Sequence, residues 1–193
     1  TTRLREQLRD LRADGLAAQP EDAPDSYHTG RLALGLLALV KGGAAADDPI
    51  VRDGFAELRR RRPFDTYSVA TTMFALEALH EPADEVGQLR TGVLDRVRPR
   101  QLPPDDLAWM RTLCARLLEN HDTRVDPESL LRFHYTQGPG FDHSTNQYGL
   151  LGLHTARVCG VELPDSTFVA AAQHLLAAQQ DQVRAAELAL SRA

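Results

Sequence analysis

Apolar stretches of helical length recur along the chain about every 40 residues, at 27–40, 67–79, 107–118 and 147–158. Each opens on an aromatic or apolar anchor: Tyr27, Tyr67, Leu107 and the Gln147-Tyr148 pair. Between them lie more polar, amphipathic stretches at 49–62, 82–98, 127–134 and 165–180. A further amphipathic helix is predicted over 2–18, with Leu4, Leu8, Leu11 and Leu16 on one side, and the tail 181–193 is again helical in pattern. Boundary chemistry agrees with this division. Asp48-Pro49, Asp65-Thr66, Pro103-Pro104-Asp105-Asp106, Asp126-Pro127 and Pro164-Asp165 are helix starts, and Gly42-Gly43 and Gly160 are stops. No run of alternating β-branched residues competes. The pattern predicts an all-α protein built from antiparallel helix pairs with short connections.

Particular positions refine the expectation. Gly30, Ala33, Gly35 and Ala38 give the 27–40 helix a thin face for close approach by a neighbour. Val51, Phe55 and Leu58 are expected to point inward from the 49–62 helix, and the 82–98 helix carries Val86, Leu89, Val93, Leu94 and Val97 as its apolar positions. The second helix closes with Arg59-Arg60-Arg61-Arg62, which complements the negative end of a helix; the alternative is contact with an anionic ligand or surface. Ser144 and Gln147 have capping-box spacing at the start of the 147–158 helix.

Composition narrows the function classes. The chain has 193 residues, enough for a single domain over 1–193 with a real core. A net charge of −5 argues against a broad phosphate-binding surface and hence against a nucleic-acid partner. The longest apolar run, 32–40, is about half of a membrane span. Cys114 and Cys159 lie singly inside apolar stretches and read as small buried hydrophobes, not as a disulfide or a zinc site. His134 and His143 flank a Gly- and Pro-rich loop at 135–143 but lack short ligand spacing, so no metal and no cofactor is expected. The chain begins at Thr1 without Met, so its compartment stays open: cytoplasmic, or exported after loss of a signal.

Three phrases resemble a known superfamily: Tyr27-His28-Thr29-Gly30-Arg31-Leu32-Ala33-Leu34-Gly35, Asp65-Thr66-Tyr67-Ser68-Val69-Ala70, and Phe141-Asp142-His143-Ser144-Thr145-Asn146-Gln147-Tyr148-Gly149. Together they are similar to prenyltransferase and squalene-oxidase repeats, in particular those of uncharacterised bacterial proteins, over roughly residues 26–180. The resemblance implies an α/α toroid of the terpenoid cyclase and protein prenyltransferase kind, with the four anchor helices inside and their partners outside. Four pairs fall short of a closed ring, so it implies a partial or open ring, or a fragment of a longer chain. The family's acidic Asp-x-Asp-Asp motif and its zinc-binding Asp-x-Cys pair are absent here.

A non-catalytic domain that binds an apolar or isoprenoid ligand, or a protein partner, is therefore favoured, with its oligomeric state open. The alternative is an enzyme of the cyclase or prenyltransferase type acting on an isoprenoid in a central cavity. If the inner helices point their starts at one hollow, His28, Arg31, Tyr67, Trp109, Asp142, His143, Ser144, Gln147 and Tyr148 share its rim. Asp142 with His143 is the candidate acid–base pair there. Helix capping by Ser144 and Gln147, and aromatic packing between helix starts, are the structural alternatives.

Overall fold

Asp48 and Asp65 begin helices as their positions predict. Their carboxylates accept the Ile50 and Ser68 backbone N–H groups, each at 2.9 Å. These contacts belong to a computed structural model that describes residues 28–121, 132–136 and 142–190, with isolated positions Thr2 and Glu6, and side chains as far as 179. Among the described residues the helices are α1 His28–Lys41, α2 Pro49–Arg60, α3 Thr66–Leu79, α4 Glu85–Arg90, α5 Pro104–Glu119, α6 His143–Val158 and α7 Asp165–Leu190. No sheet occurs among them; one isolated bridge joins His121 to Phe133. The chain is all-α in this sense. Most of the helix predicted over 2–18, and residues 127–131 of another, lie outside the described residues.

The glycine stops behave as expected. Gly43 (φ 86°) and Gly160 (φ 81°) take the left-handed conformation. Beyond them Ala44 N–H reaches back to Leu39 O at 3.0 Å and Val161 N–H to Ala156 O at 2.9 Å.

Cross-helix contacts fix the directions of the helices. At their starts, Gly30 of α1 packs on Ser68 of α3 so closely that a Cβ at position 30 would stand 2.8 Å from the Ser68 hydroxyl. At their ends, Lys41 pairs with Glu81 just past α3. The two helices therefore run parallel. α6 joins them in the same sense: Ser144 meets Tyr67 near both starts, and Gly152 packs near Ala70 and on Leu117.

α5 runs the other way. Asp106 in its first turn meets His80 past the end of α3 at 2.6 Å, while the Asn120 side chain donates to Phe64 O before the start of α3 at 2.6 Å. The predicted spacing of the helices stands, but the expectation that all four anchor helices point their starts at one hollow is corrected. The Leu107 stretch is not a fourth member of the parallel set; it packs antiparallel against α3 and α6.

The cause lies in the preceding connection. The helix predicted over 82–98 is only the six residues of α4, and the chain leaves it through Gly92 (φ 73°). Val86, Val93 and Val97, apolar positions of the predicted 82–98 helix, are 42%, 71% and 37% exposed. Glu85 draws the chain back instead. Its fully buried carboxylate accepts the Arg98 N–H at 2.7 Å and both ends of the Arg100 guanidinium at 2.6 and 3.0 Å. Arg100 also binds Glu77 of α3 at 2.6 Å, and its own N–H donates to Val158 O at the end of α6 at 2.7 Å. The buried pair thus ties the connection to two helix ends, and α5 starts from there.

The core is the shared interior of α1, α2, α3, α5 and α6. Leu32, Leu36, Val51, Leu58, Met73, Leu76, Met110, Leu117 and Leu153 are at most 1% exposed, each side chain contributing about 1.5–3 kcal/mol. Val51, Phe55 and Leu58 point inward as predicted. The thin face of α1 is only half used: Gly30 and Ala33 are in contact, and Ala38 is exposed.

One extended segment completes the core. Phe133 and His134, predicted as the end of a helix, are extended instead. They cross the starts of α3 and α6, which leaves their backbone groups free to satisfy helix ends. Phe133 N–H donates to Asn146 Oδ1 at 3.2 Å, His134 N–H to Asn120 O at 3.0 Å, and Thr66 N–H to Tyr135 O at 2.9 Å.

Candidate functional site

The segment 132–136 sets Tyr135 beside the starts of α3 and α6, where the polar residues of the sequence gather. Asp142 is the N-cap of α6 and forms a capping box with Thr145, which corrects the expected Ser144–Gln147 box. The physical reason is that the helix starts one residue earlier than Ser144, so the acid, with the stronger acceptor, takes the cap. Asp142 Oδ1 accepts the Thr145 N–H at 2.7 Å and the Ser144 hydroxyl at 2.6 Å; Oδ2 accepts the Tyr135 hydroxyl. Since the Ser144 proton points to Asp142, Tyr67 donates its hydroxyl to Ser144.

This chain of donors shifts the titrations at both ends. The Ser144 hydroxyl, then the Tyr135 hydroxyl and the Thr145 N–H, hold the Asp142 carboxyl well below the ordinary carboxylate range. The Tyr135 phenol, bonded to that carboxylate, is pushed up to about 12.

The rings of the same residues form a corner. Tyr67 and Tyr148 meet nearly edge-on with centroids 4.7 Å apart, and Tyr67 and Tyr135 are tilted by 51° at 5.5 Å. Phe74 extends the row, 6.0 Å from Tyr148. Tyr67, Phe74 and Tyr148 are half-buried and Tyr135 is exposed.

From this corner a surface runs along the three parallel helices. Tyr67, Phe74 and Glu81 are seven residues apart and share one side of α3 and its extension; Leu34 and Lys41 share one side of α1 in the same way. The Lys41–Glu81 ion pair joins those two sides. On α6, Leu151 lies one turn past Tyr148. Leu34 is 57% exposed and Leu151 45%, so the face is apolar at its middle and polar at its two ends.

Of the residues predicted on the rim, Tyr67, Asp142, Ser144 and Tyr148 come together. His143 and Gln147 stand exposed in the first turns of α6, and His28 and Arg31 are exposed at the start of α1. The Asp142 hydrogen bonds described above go to hydroxyls and a backbone N–H, not to a base. Trp109 does not join them. It lies one turn beyond Asp106, at the opposite end of α3 from Tyr67, with the Arg59 guanidinium 4.3 Å above its ring. The antiparallel course of α5 carries it there.

Tyr135, Phe74, Leu34 and Leu151 belong to the face but were not predicted. A signal existed for two of them: Leu34 and Phe74, like Lys41 and Glu81, stand one 40-residue period apart.

Comparison of the chain with protein-family models, curated proteins and solved structures finds no match.

The remaining polar centres serve the fold. Arg59 pairs with Asp106, and Arg60 and Arg61 with Glu57 at 2.5 and 3.0 Å, so three of the four arginines that end α2 are engaged within the chain. The hydrogen bond to Arg100 holds the Glu85 carboxyl below its usual value against the opposing effect of burial. An open groove of about 520 Å³ lies between α6 and α7, lined by Arg157, Val161, Glu162, Leu163 and Pro164. Its one cation, Arg157, is bound to Asp165 at 2.8 Å and lies over Phe168. Among the described residues no cluster of His, Cys, Asp or Glu is arranged to hold a metal ion, and no helix is long and apolar enough to cross a membrane.

Proposed function

We propose that the chain is a ligand- or partner-binding repeat domain of the α/α-toroid kind, similar in plan to prenyltransferase and squalene-oxidase repeat proteins. Its open face across α1, α3 and α6 receives an apolar or amphipathic molecule. One observation carries this reading: Leu34 and Leu151, 57% and 45% exposed, and the half-buried Phe74 and Tyr148 lie on one continuous side of three parallel helices. Apolar surface left in water gains about 25 cal/mol per Å² when covered, so a contiguous strip is a binding surface in energetic terms. The tyrosine corner at one end and the Lys41–Glu81 pair at the other give the strip polar boundaries.

Native mass spectrometry after incubation with geranylgeraniol tests the reading. Wild type retains the alcohol, Leu151→Glu and Phe74→Ser lose it, and Trp109→Ala retains it, because Trp109 lies at the other end of α3 against Arg59. Failure of wild type to retain it, or equal retention by the Leu151 and Phe74 variants, overturns the reading.

A further inference from the structure

Among the described residues α7 is the longest helix, and it is seated by one side. Of its 26 residues, Ala171 and His174 are 4% and 5% exposed, and Phe168 and Ala170 pack against the core beside them. The opposite side is apolar and open. Val169 and Leu176 are 54% and 59% exposed, and Ala172 and Gln179 are exposed with them. Steps of three and four residues, 169 to 172 to 176 to 179, keep these positions on one stripe of the helix.

The sequence continues the stripe. Val169, Leu176, Val183 and Leu190 recur every seven residues along α7, and Ala172, Gln179 and Ala186 follow the first three of them by three residues. A seven-residue apolar repeat is the seam along which two helices wind about each other. A role inside the chain would require the repeat to face the core, and its described half faces water.

Two features make a second copy of this chain the fitting occupant. The stripe alternates large and small side chains, so it supplies both the knobs and the holes of such a seam. A surface that holds both halves of a contact is complementary to itself about a two-fold axis. It is also uncharged: Val169, Ala172, Leu176 and Gln179, with Gln173 and Leu175 at their sides, bear no charge. Copies with a net charge of −5 therefore meet here without like charges opposed. Of the charged residues further along, Asp181 and Arg184 fall off the stripe by their spacing, and Glu187 falls at its edge.

We infer that α7 pairs with α7 of a second copy along this stripe and makes a reversible homodimer. A strip about 39 Å long and about 10 Å wide on each copy is at the small end of specific interfaces, so half-dissociation is expected in the micromolar range.

Sedimentation equilibrium of the whole chain from about 1 to about 200 μM tests this. Wild type is expected to pass from monomer to dimer across that range. Leu176→Glu is expected to weaken association at least about tenfold, and Val169→Glu combined with it to abolish association. Gln179→Leu, which makes the polar position of the stripe apolar, is expected to tighten it. Leu34→Glu, at a similarly exposed leucine on α1, is expected to leave it unchanged. Thermal unfolding at the lowest concentration should stay close to wild type for every variant, which keeps loss of pairing distinct from loss of fold. A wild type that remains monomeric throughout overturns the inference and gives the stripe to another segment of the chain or to a different partner. A dimer that survives the Val169 and Leu176 changes, or that Leu34→Glu dissolves, overturns it as well.

Discussion

The ring of Phe133 occupies the place where a side chain at position 149 would stand. A Cβ built on Gly149 falls 2.2 Å from the Phe133 ring, and Phe133 is fully buried. Gly149 therefore lets the 132–136 segment lie across the start of α6, and that segment delivers Tyr135 to the tyrosine corner. Gly149→Ala is expected to destabilise the protein by about 1–3 kcal/mol through overpacking, despite the better helix propensity of Ala. Phe133→Ala is expected to cost about 3–5 kcal/mol. In the Phe133→Ala background the Gly149→Ala change should cost nothing or stabilise. Urea unfolding of the four proteins measures the coupling; additive costs would contradict the contact.

Asp142 links stability to pH through its cap. Its carboxyl titrates lower folded than unfolded, so the unfolded chain takes up a proton more readily and stability rises with pH. The contribution is complete above the ordinary carboxylate range, near pH 4, and is lost as pH falls toward the depressed folded value. Asp142→Ala is expected to cost about 1 kcal/mol at neutral pH, and that difference should shrink as the unfolding series is carried into acid. A difference that grows in acid would contradict the assignment. Tyr135 acts with the opposite sign: its contribution holds below about pH 10 and falls away as pH rises through about 12.

Arg100 is 6% exposed and its partner Glu85 is fully buried. Removing one partner strands the other charge. Arg100→Met is expected to cost about 3–5 kcal/mol, and the double change Arg100→Met with Glu85→Leu to recover most of it. Thermal and urea unfolding check this. A double variant no more stable than the single one would show that the hydrogen bonds, not the stranded charge, dominate.

The two thiols are buried, at 2% exposure for Cys114 and 1% for Cys159. Burial pushes the Cys159 thiol up to about 12 and raises Cys114 as well. Both are expected to resist a disulfide-exchange reagent at pH 8 and to react once denaturant is added. Fast labelling of the native protein would place a thiol at the surface.

Local chemistry was legible in the sequence wherever the cause is local. The caps at Asp48 and Asp65 and the stops at Gly43 and Gly160 depend on neighbouring residues alone, and they stand where the pattern puts them. The errors share a long-range cause. The helix predicted over 82–98 stops at Arg90 because Glu85 captures Arg98 and Arg100 from further along the chain. Reversal of α5 then removes Trp109 from the rim, an outcome that periodicity alone cannot register. Phe133, predicted as the end of a helix, and Tyr135, predicted in a loop, owe their places to contacts with Gly149, Asp142 and Thr66 from distant parts of the chain. Of the predicted rim, Tyr67, Ser144, Asp142 and Tyr148 were legible because they cluster at two helix starts that run parallel.

The most direct measurement uses the exposed leucines as reporters. In a methyl-labelled sample titrated with geranylgeraniol, Leu34 and Leu151 on the three-helix face are expected to shift saturably together. Leu175 and Leu176 of α7, similarly exposed at 46% and 59%, are expected to stay in place. Saturable shifts confined to α7, or none at any of the four, would contradict a ligand surface on α1, α3 and α6.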